Sequence, residues 1–290
     1  MGTKPKKNLE ESLYQRLKNI SIQKGRQFDE ILRYYAIERF LYRLSQSPYA
    51  HRFFLKGGLM FMVWDAENHR ATMDIDFLAK ISNDVDFVRR IIETVTSIEI
   101  EGDGITFDTQ KLILKKVQVG GDYEGINVSF SAHLFSAKIP IIIDIGFNDV
   151  IIPQPEKISY PTLFKTPSPQ LMGYTFETVF AEKLEAIVKL SLVNTRMKDF
   201  YDLWAISQMK ELDIKELETA ILRVFENRNN KLEFPLAFTE QFYSDSQTIQ
   251  RWKQFLLRVP RTVPTLENIV KEIVVYLSPI FEKLQAREEK

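Results

Sequence analysis

The most constraining feature of this chain is a pair of glycines followed by two alternating aspartates. Gly57 and Gly58 precede an apolar run, residues 59–64, that suits the start of a buried helix. Further along the chain come Asp74 and Asp76, which alternate with apolar residues. This alternation predicts a strand that carries both carboxylates on one face, about 7 Å apart.

Both parts of this stretch have a chemical use. Adjacent glycines adopt backbone angles that other residues avoid, and a phosphate can approach their main chain closely. The amides of a helix start add a positive dipole end for that anion. Two carboxylates on a rigid strand suit Mg²⁺, which takes few acidic ligands and completes its shell with water and phosphate. Together they predict phosphoryl or nucleotidyl transfer.

Each motif also has a simpler interpretation. A glycine pair alone is usually a turn, and an Asp-x-Asp alone is usually a solvated strand face, because short motifs recur by chance. An EF-hand loop that starts at Asp74 is excluded, because Ala79 stands where the loop needs glycine and Val85 where it needs glutamate. The order and spacing of the two motifs favour the transferase interpretation.

The segments Leu-Lys-Gly-Gly at 55–58 and Arg-Ala-Thr-Met-Asp-Ile-Asp-Phe at 70–77 resemble the AbiEii/AbiGii toxin family of nucleotidyltransferases. That family belongs to the polymerase-beta-like nucleotidyltransferase superfamily, whose signature is Gly-Gly or Gly-Ser followed by Asp-x-Asp or Asp-x-Glu. A second similar region covers residues 175–183 and 196–204. The resemblance implies an α+β fold: a mixed sheet with flanking helices, a C-terminal helical domain, and the nucleotide between them.

Proline placement predicts where the two domains divide. Five prolines fall within the stretch from Ile151 to Pro169, which has almost no helical periodicity. We therefore expect a nucleotidyltransferase core domain with N-terminal helices over 1–150, a proline-rich connection over 151–170, and a helical domain over 171–290.

Asp144 is the candidate for a third site carboxylate. It stands among isoleucines in a run that predicts a buried central strand, where a carboxylate is costly unless paired, protonated or metal-bound. The resemblance implies a third acidic residue on a neighbouring strand that helps hold metal or deprotonate the attacking hydroxyl. Asp144 suits this role better than Asp149, which follows Gly146 in a predicted loop. The alternative is an ion pair with a core arginine.

The second similar region supplies Lys183 and Asp199. Lys183 lies in the apolar stripe of a predicted helix and has no acidic partner three or four residues away. If its ammonium group points inward, Lys183 can neutralise charge on the leaving pyrophosphate. The alternative is that its aliphatic side chain packs on the edge of the core and its ammonium group reaches water. Asp199 and Asp202 begin the next helix. One of them caps the helix, and the other anchors Lys183, the nucleotide or the incoming substrate; the resemblance favours Asp199 as the site residue.

Three further residues flank the first motif. Lys56 and Arg70 either hold phosphate or are solvated loop charges. Thr72 matches a hydroxyl position of the family motif where serine is frequent, so it either contacts nucleotide or serves as a modification site.

Composition limits the partners and the compartment. With 39 basic and 39 acidic residues the net charge is zero, so nucleic-acid binding depends on local patches, of which the basic and aromatic stretch 251–261 is one candidate. No cysteine is present, which excludes disulfides and thiolate chemistry and favours a reducing cytoplasm. No run approaches about 18 apolar residues and no apolar signal core is present, so neither a membrane span nor export is expected.

The predicted reaction moves a nucleoside monophosphate from a nucleoside triphosphate to a hydroxyl acceptor, with Mg²⁺ or Mn²⁺. The predicted catalytic residues are Asp74, Asp76, Asp144, Lys183 and Asp199, of which the first three also hold metal. The predicted nucleotide-binding residues are Lys56, Gly57, Gly58, Arg70, Thr72 and Lys183. The resemblance implies a toxin of a toxin–antitoxin or phage abortive-infection system, with a cognate antitoxin and with RNA, in particular transfer RNA, as acceptor. Two alternatives stay open: an enzyme of the same fold acting on a small molecule or protein, and a non-catalytic nucleotide-binding protein, against which three mutually repelling carboxylates argue.

Overall fold

The structure, a computed structural model, describes residues 4–66, 69–119 and 123–288. The chain forms two compact units that are interleaved in sequence. The first unit comprises Met1–Glu67, Ala71–Asn148 and Glu156–Gly173, and the second comprises Asn68–Arg70, Asp149–Pro155 and Tyr174–Lys290.

The described part of the first unit contains a seven-stranded mixed sheet with flanking helices. Its helices are α1 (Lys4–Lys24), α2 (Phe28–Gln46), α3 (Met60–Trp64) and α4 (Val85–Thr96). Its strands are β1 (Phe53–Lys56), β2 (Ile75–Ala79), β3 (Thr106–Val119), β4 (Tyr123–Leu134), β5 (Ala137–Gly146), β6 (Glu156–Ser159) and β7 (Gln170–Gly173). The strand order is β3-β4-β5-β2-β1-β7-β6, with parallel pairs β2–β5 and β1–β7 and antiparallel pairs elsewhere. The predicted α+β fold is confirmed.

The second unit is helical in its regular structure. Its helices are α5 (Phe176–Leu190), α6 (Met197–Met209), α7 (Ile214–Asn227), α8 (Glu240–Tyr243), α9 (Ser246–Leu256) and α10 (Leu266–Glu288). Helix α5 packs against α6 and α7, and α10 packs along α6, where the indole N–H of Trp204 donates to Glu272 at 2.7 Å. Among the described residues, no helix is both long enough and apolar enough to cross a membrane.

Two predicted elements differ from the observed ones for local reasons. The proline-rich stretch contains strand β6, because Pro155 and Pro161 flank residues 156–159 instead of interrupting them, and this strand pairs with β7. The apolar periodicity of residues 173–192 predicts a helix over that range, but α5 begins at Phe176, because the Thr175 side chain caps it by accepting the Thr178 amide.

A third difference concerns the strands before the glycine connection. The sequence pattern predicts two strands, at 105–108 and 111–119, and then a glycine-rich hairpin connection at 120–125. The two strands are instead one strand, β3, with a shift of register between Asp108 and Ile113. Residues 120–122 of the connection lie outside the described residues.

Candidate active site

A row of five polar residues crosses one face of the sheet in the first unit, and we call it the polar row. From β1 to β3 its members are paired in register as Lys56–Asp76, Asp76–Asp144, Asp144–Asn127 and Asn127–Lys115. Register partners point to the same face, and neighbouring strands lie about 4.8 Å apart, so the row is about 19 Å long. The row places two carboxylates side by side at its centre and a lysine at each end.

Asp144 reaches this row because strand β5 alternates. Every second residue of β5 is buried, namely Ile139, Ile141, Ile143 and Ile145. Asp144 points to the opposite face and is only half-buried, so the expected enclosure among isoleucines is wrong, although the strand itself is confirmed. Its described partner is the amide of Asn127, which donates to Oδ1 at 2.7 Å. The alternative of an ion pair with a core arginine is not formed within the described residues.

Gly57 is fitted closely to the carboxylate of Asp76. Its φ of +66° lies in the left-handed region, which favours glycine. A Cβ placed on Gly57 would lie 2.1 Å from Asp76 Oδ2, far inside contact distance. Residues Gly57–Leu59 form a 3-10 turn, and the α-helix that follows has five residues, which is too short for a strong dipole. Glycine is therefore needed at position 57 chiefly because any larger side chain would collide with the carboxylate of Asp76.

The approach to Asp74 is held by a buried tyrosine. The Thr72 backbone N–H donates to the Tyr34 hydroxyl at 3.3 Å, and Thr72 is buried. Burial raises the pKa of Tyr34 above its ordinary value, so the group stays a neutral hydroxyl. Strand β2 begins at Ile75, so Asp74 lies just before the strand and is half-buried.

The donor set of the polar row fits a hard divalent cation. The described side chains contain no group of three acidic or histidine residues that converge on one point as a ready-made metal site. Asp76 and Asp144 are nevertheless adjacent carboxylates on one face, and Mg²⁺ needs only one or two such ligands beside water and phosphate. The metal-binding roles of Asp74, Asp76 and Asp144 stay predictions.

The second unit holds a separate group of charges around two buried aspartates, which we call the ion-pair cluster. Its members are Arg70, Lys183, Arg196, Asp199 and Asp202. Arg70 donates twice to Asp202, from Nε and from Nη2, each at 2.7 Å. Lys183 Nζ lies 2.5 Å from Asp202 and 3.2 Å from Asp199, and Arg196 Nε lies 2.5 Å from Asp199. Within the cluster, three cations contact two carboxylates.

The electrostatics keep both aspartates ionised. Burial alone would raise the pKa of Asp202, but the charges of Arg70 and Lys183 outweigh it and hold the pKa below its ordinary value. Lys183 and Arg196 have the same effect on the pKa of Asp199, which is also fully buried. The nearby side chain of Lys198 is exposed in part, yet desolvation of its ammonium lowers its pKa, and the charge of Lys183 lowers it further.

The cluster changes the interpretation of three residues. Arg70 is buried, so it is not the solvated loop charge considered from the sequence. Lys183 takes its acidic partners from α6, the next helix, which spacing along α5 could not show. Asp202, considered only as a cap or an anchor, is the residue that joins Arg70 to Lys183. The second similar region includes Arg196, but the sequence assigned it no role, and it gave no role to Asn127, one of the polar residues that alternate with apolar ones along its strand.

The basic and aromatic stretch has a structural explanation for its rings. Trp252 is buried and its indole donates to the Pro264 carbonyl at 3.3 Å. The guanidinium of Arg261 lies over the rings of Tyr201 and Trp204, with its carbon 5.4 and 4.9 Å from their centroids. Trp252 therefore belongs to the core of the second unit, as do the Tyr201 and Trp204 rings that Arg261 contacts.

The sequence profile of the family described as "Nucleotidyl transferase AbiEii toxin, Type IV TA system" matches residues 39–283. The match spans most of the chain, and the protein therefore belongs to this family of nucleotidyl transferase toxins. A search of curated proteins finds no match.

Two solved structures from Helicobacter pylori are similar at a distance. A candidate nucleotidyltransferase has 13% identity and a TM-score of 0.48, over 86% of this chain and 92% of its own. JHP933 has 13% identity and a TM-score of 0.46, over 86% of this chain and 94% of its own. Likenesses this distant say nothing further about the activity.

Proposed function

We propose that this protein transfers a nucleoside monophosphate from a nucleoside triphosphate to a hydroxyl group of an RNA acceptor in a reaction that depends on Mg²⁺. The observation that carries the proposal is the register of β2 and β5, which aligns Asp76 with Asp144 on one sheet face beside the glycine turn. Family membership supports nucleotidyl transfer, and the paired carboxylates supply the ligands that this chemistry needs.

The first unit contributes the metal and phosphate groups of the proposal. Asp76 and Asp144, with Asp74 before the strand, would hold Mg²⁺, which when bound neutralises phosphate charge and orients the triphosphate. Asp144 is also the carboxylate proposed to accept the proton of the attacking hydroxyl, since it is half-exposed and keeps one oxygen beyond its bond to Asn127. Gly57, Gly58 and Lys56 would bind phosphate through the main chain and the ammonium group.

The second unit contributes cations that its own carboxylates hold in place. Lys183 is proposed to neutralise charge on the leaving pyrophosphate, and Arg70 to contact phosphate. Asp199 and Asp202 hold these two cations in place through ion pairs. In the first unit, Thr72 is proposed to contact the nucleotide, and the bond from its backbone N–H to Tyr34 holds it in position.

The biological part of the proposal follows from the family. A type IV toxin implies a cognate antitoxin. We propose transfer RNA as the acceptor, a cytoplasmic location and a role in phage defence, and the resemblance of the sequence motifs supports each of these. A transferase that modifies a protein or a small molecule is the second candidate, favoured by the absence of net charge that would attract RNA.

Label transfer tests the proposal. Purified protein is incubated with Mg²⁺, each α-phosphate-labelled nucleoside triphosphate in turn, and total RNA, beside an Asp76→Ala variant. The proposal predicts label on RNA of transfer-RNA size and its loss in the variant. Labelled protein without labelled RNA would favour the second candidate, and label in neither, from protein that binds the triphosphate, would contradict transfer to a macromolecule.

A further inference from the structure

Asn127 lies beside the central carboxylates of the polar row. It stands on β4 as the register partner of Asp144, and its Nδ2 donates to Asp144 Oδ1 at 2.7 Å. Both side chains are half-buried, so this bond is partly shielded from water. An amide that donates to one carboxylate oxygen fixes the plane of the carboxylate and leaves the other oxygen for a further ligand.

The register that creates this contact is locked on both sides. The neighbouring pairs are Ile126–Ile145 and Val128–Ile143, and all four side chains are buried. A slip of one residue would turn these apolar groups to the open face, so the register that pairs Asn127 with Asp144 is strongly specified. Asparagine is also disfavoured in strands, which makes its position in the middle of β4 costly without a compensating contact.

We propose that Asn127 is a positioning residue that orients Asp144 for divalent cations. This inference rests on the proposed function, because it assigns Asp144 to the metal site. Residues that hydrogen-bond a metal-binding carboxylate orient it, and their loss commonly weakens metal affinity or activity by about 10- to 100-fold. A merely structural asparagine would affect stability and leave metal affinity unchanged.

The test measures Mn²⁺ binding without nucleotide, by paramagnetic titration of the full chain. Asn127→Leu keeps the branched shape and removes the donor, whereas Asn127→Ser retains a shorter donor. Ser129→Ala is the matched control, because Ser129 lies two residues away on the same face and pairs with Ile142 instead. If the leucine variant does not fold, Asn127→Ala removes the same donor without added bulk.

The inference predicts that the Mn²⁺ dissociation constant rises about 10-fold or more in Asn127→Leu, rises less in Asn127→Ser, and is unchanged in Ser129→Ala. It also predicts a fall in kcat for nucleotide transfer with little change in the KM for the triphosphate. Wild-type Mn²⁺ affinity in the leucine variant, or no Mn²⁺ binding by the wild type, would overturn it. Weakened Mn²⁺ binding beside a wild type that transfers no nucleotide would support Asn127 and refute the proposed function.

Discussion

The carboxylate of Asp76 occupies the space that a side chain on Gly57 would need. A Cβ on Gly57 would lie 2.1 Å from Asp76 Oδ2 and 2.7 Å from its Cγ. The glycine and the aspartate belong to adjacent strands or their ends, since Lys56 before the glycine is the register partner of Asp76. The two halves of the sequence motif are therefore one packed unit, and the glycine determines where the carboxylate lies.

Gly57→Ala should displace Asp76 and abolish most nucleotide transfer. An alanine in the left-handed region costs about 1–2 kcal/mol. At Gly57 its Cβ would also clash with Oδ2, Cγ and Cβ of Asp76. Gly25→Ala is the matched control, because Gly25 has a similar φ of +61° and nothing within 4 Å of the added Cβ. Comparable activity loss and destabilisation in both variants, measured by label transfer and urea unfolding, would refute the contact as the cause.

Asp202→Asn should destabilise the protein more than Asp199→Asn. Asp202 contacts two buried cations, Arg70 and Lys183. Asp199 also contacts Lys183, but its second cation, Arg196, is partly exposed. Removal of one partner from a buried pair leaves an uncompensated charge and costs about 3–5 kcal/mol. Urea unfolding of the two variants decides the order, and an equal or larger loss in Asp199→Asn would contradict the central position given to Asp202.

Stability should fall as the pH rises through neutrality because of Glu38. Burial raises its pKa to about 7 despite the ion pair with Arg39 at 2.7 Å. A folded-state pKa above the unfolded value of 4.5 means that the contribution of Glu38 is fully present below pH 4.5 and lost as the pH passes 7. The free energy of unfolding should therefore drop by about 1–3 kcal/mol across this range.

Glu38→Gln supplies the comparison for this pH dependence. The amide cannot titrate but can still accept the backbone N–H of Leu163. Between pH 5 and pH 8 the free energy of unfolding should therefore fall in the wild type but not, for this reason, in the variant, so the two stabilities should diverge in favour of the variant as the pH rises. An identical slope in the two proteins would show that Glu38 is not the titrating group.

The sequence predicted best where local signals and burial agreed. The spacing of apolar residues over 84–97 predicts an amphipathic helix, and α4 runs from Val85 to Thr96 with Asp84 and Ser97 as its caps, so only the two capping residues differ. The run of isoleucines around Asp144 predicted the strand that carries it. Local patterns could not show which strand pairs with which, so the alignment of Asp76 with Asp144 had to come from the resemblance.

The same limit explains the residues that were missed. Asn127 on a half-solvated strand face is indistinguishable from an ordinary surface residue until β5 is placed beside β4. The partners of Lys183 lie on another helix, and those of Asp202 include Arg70, which is far away in sequence. Long-range ion pairs leave no periodic signal.

The most direct test of the central claim is label transfer by Asp144→Asn. The amide preserves the shape of the side chain and removes the charge beside Asp76, so metal and base functions are lost together. Asp108→Asn is the control, since Asp108 is a partly exposed carboxylate on the same sheet that faces His133 at 3.9 Å. We predict a loss of about 100-fold or more in transfer to RNA for Asp144→Asn and wild-type transfer for Asp108→Asn. Wild-type transfer by a folded Asp144→Asn variant would contradict the assignment of the polar row as the active site.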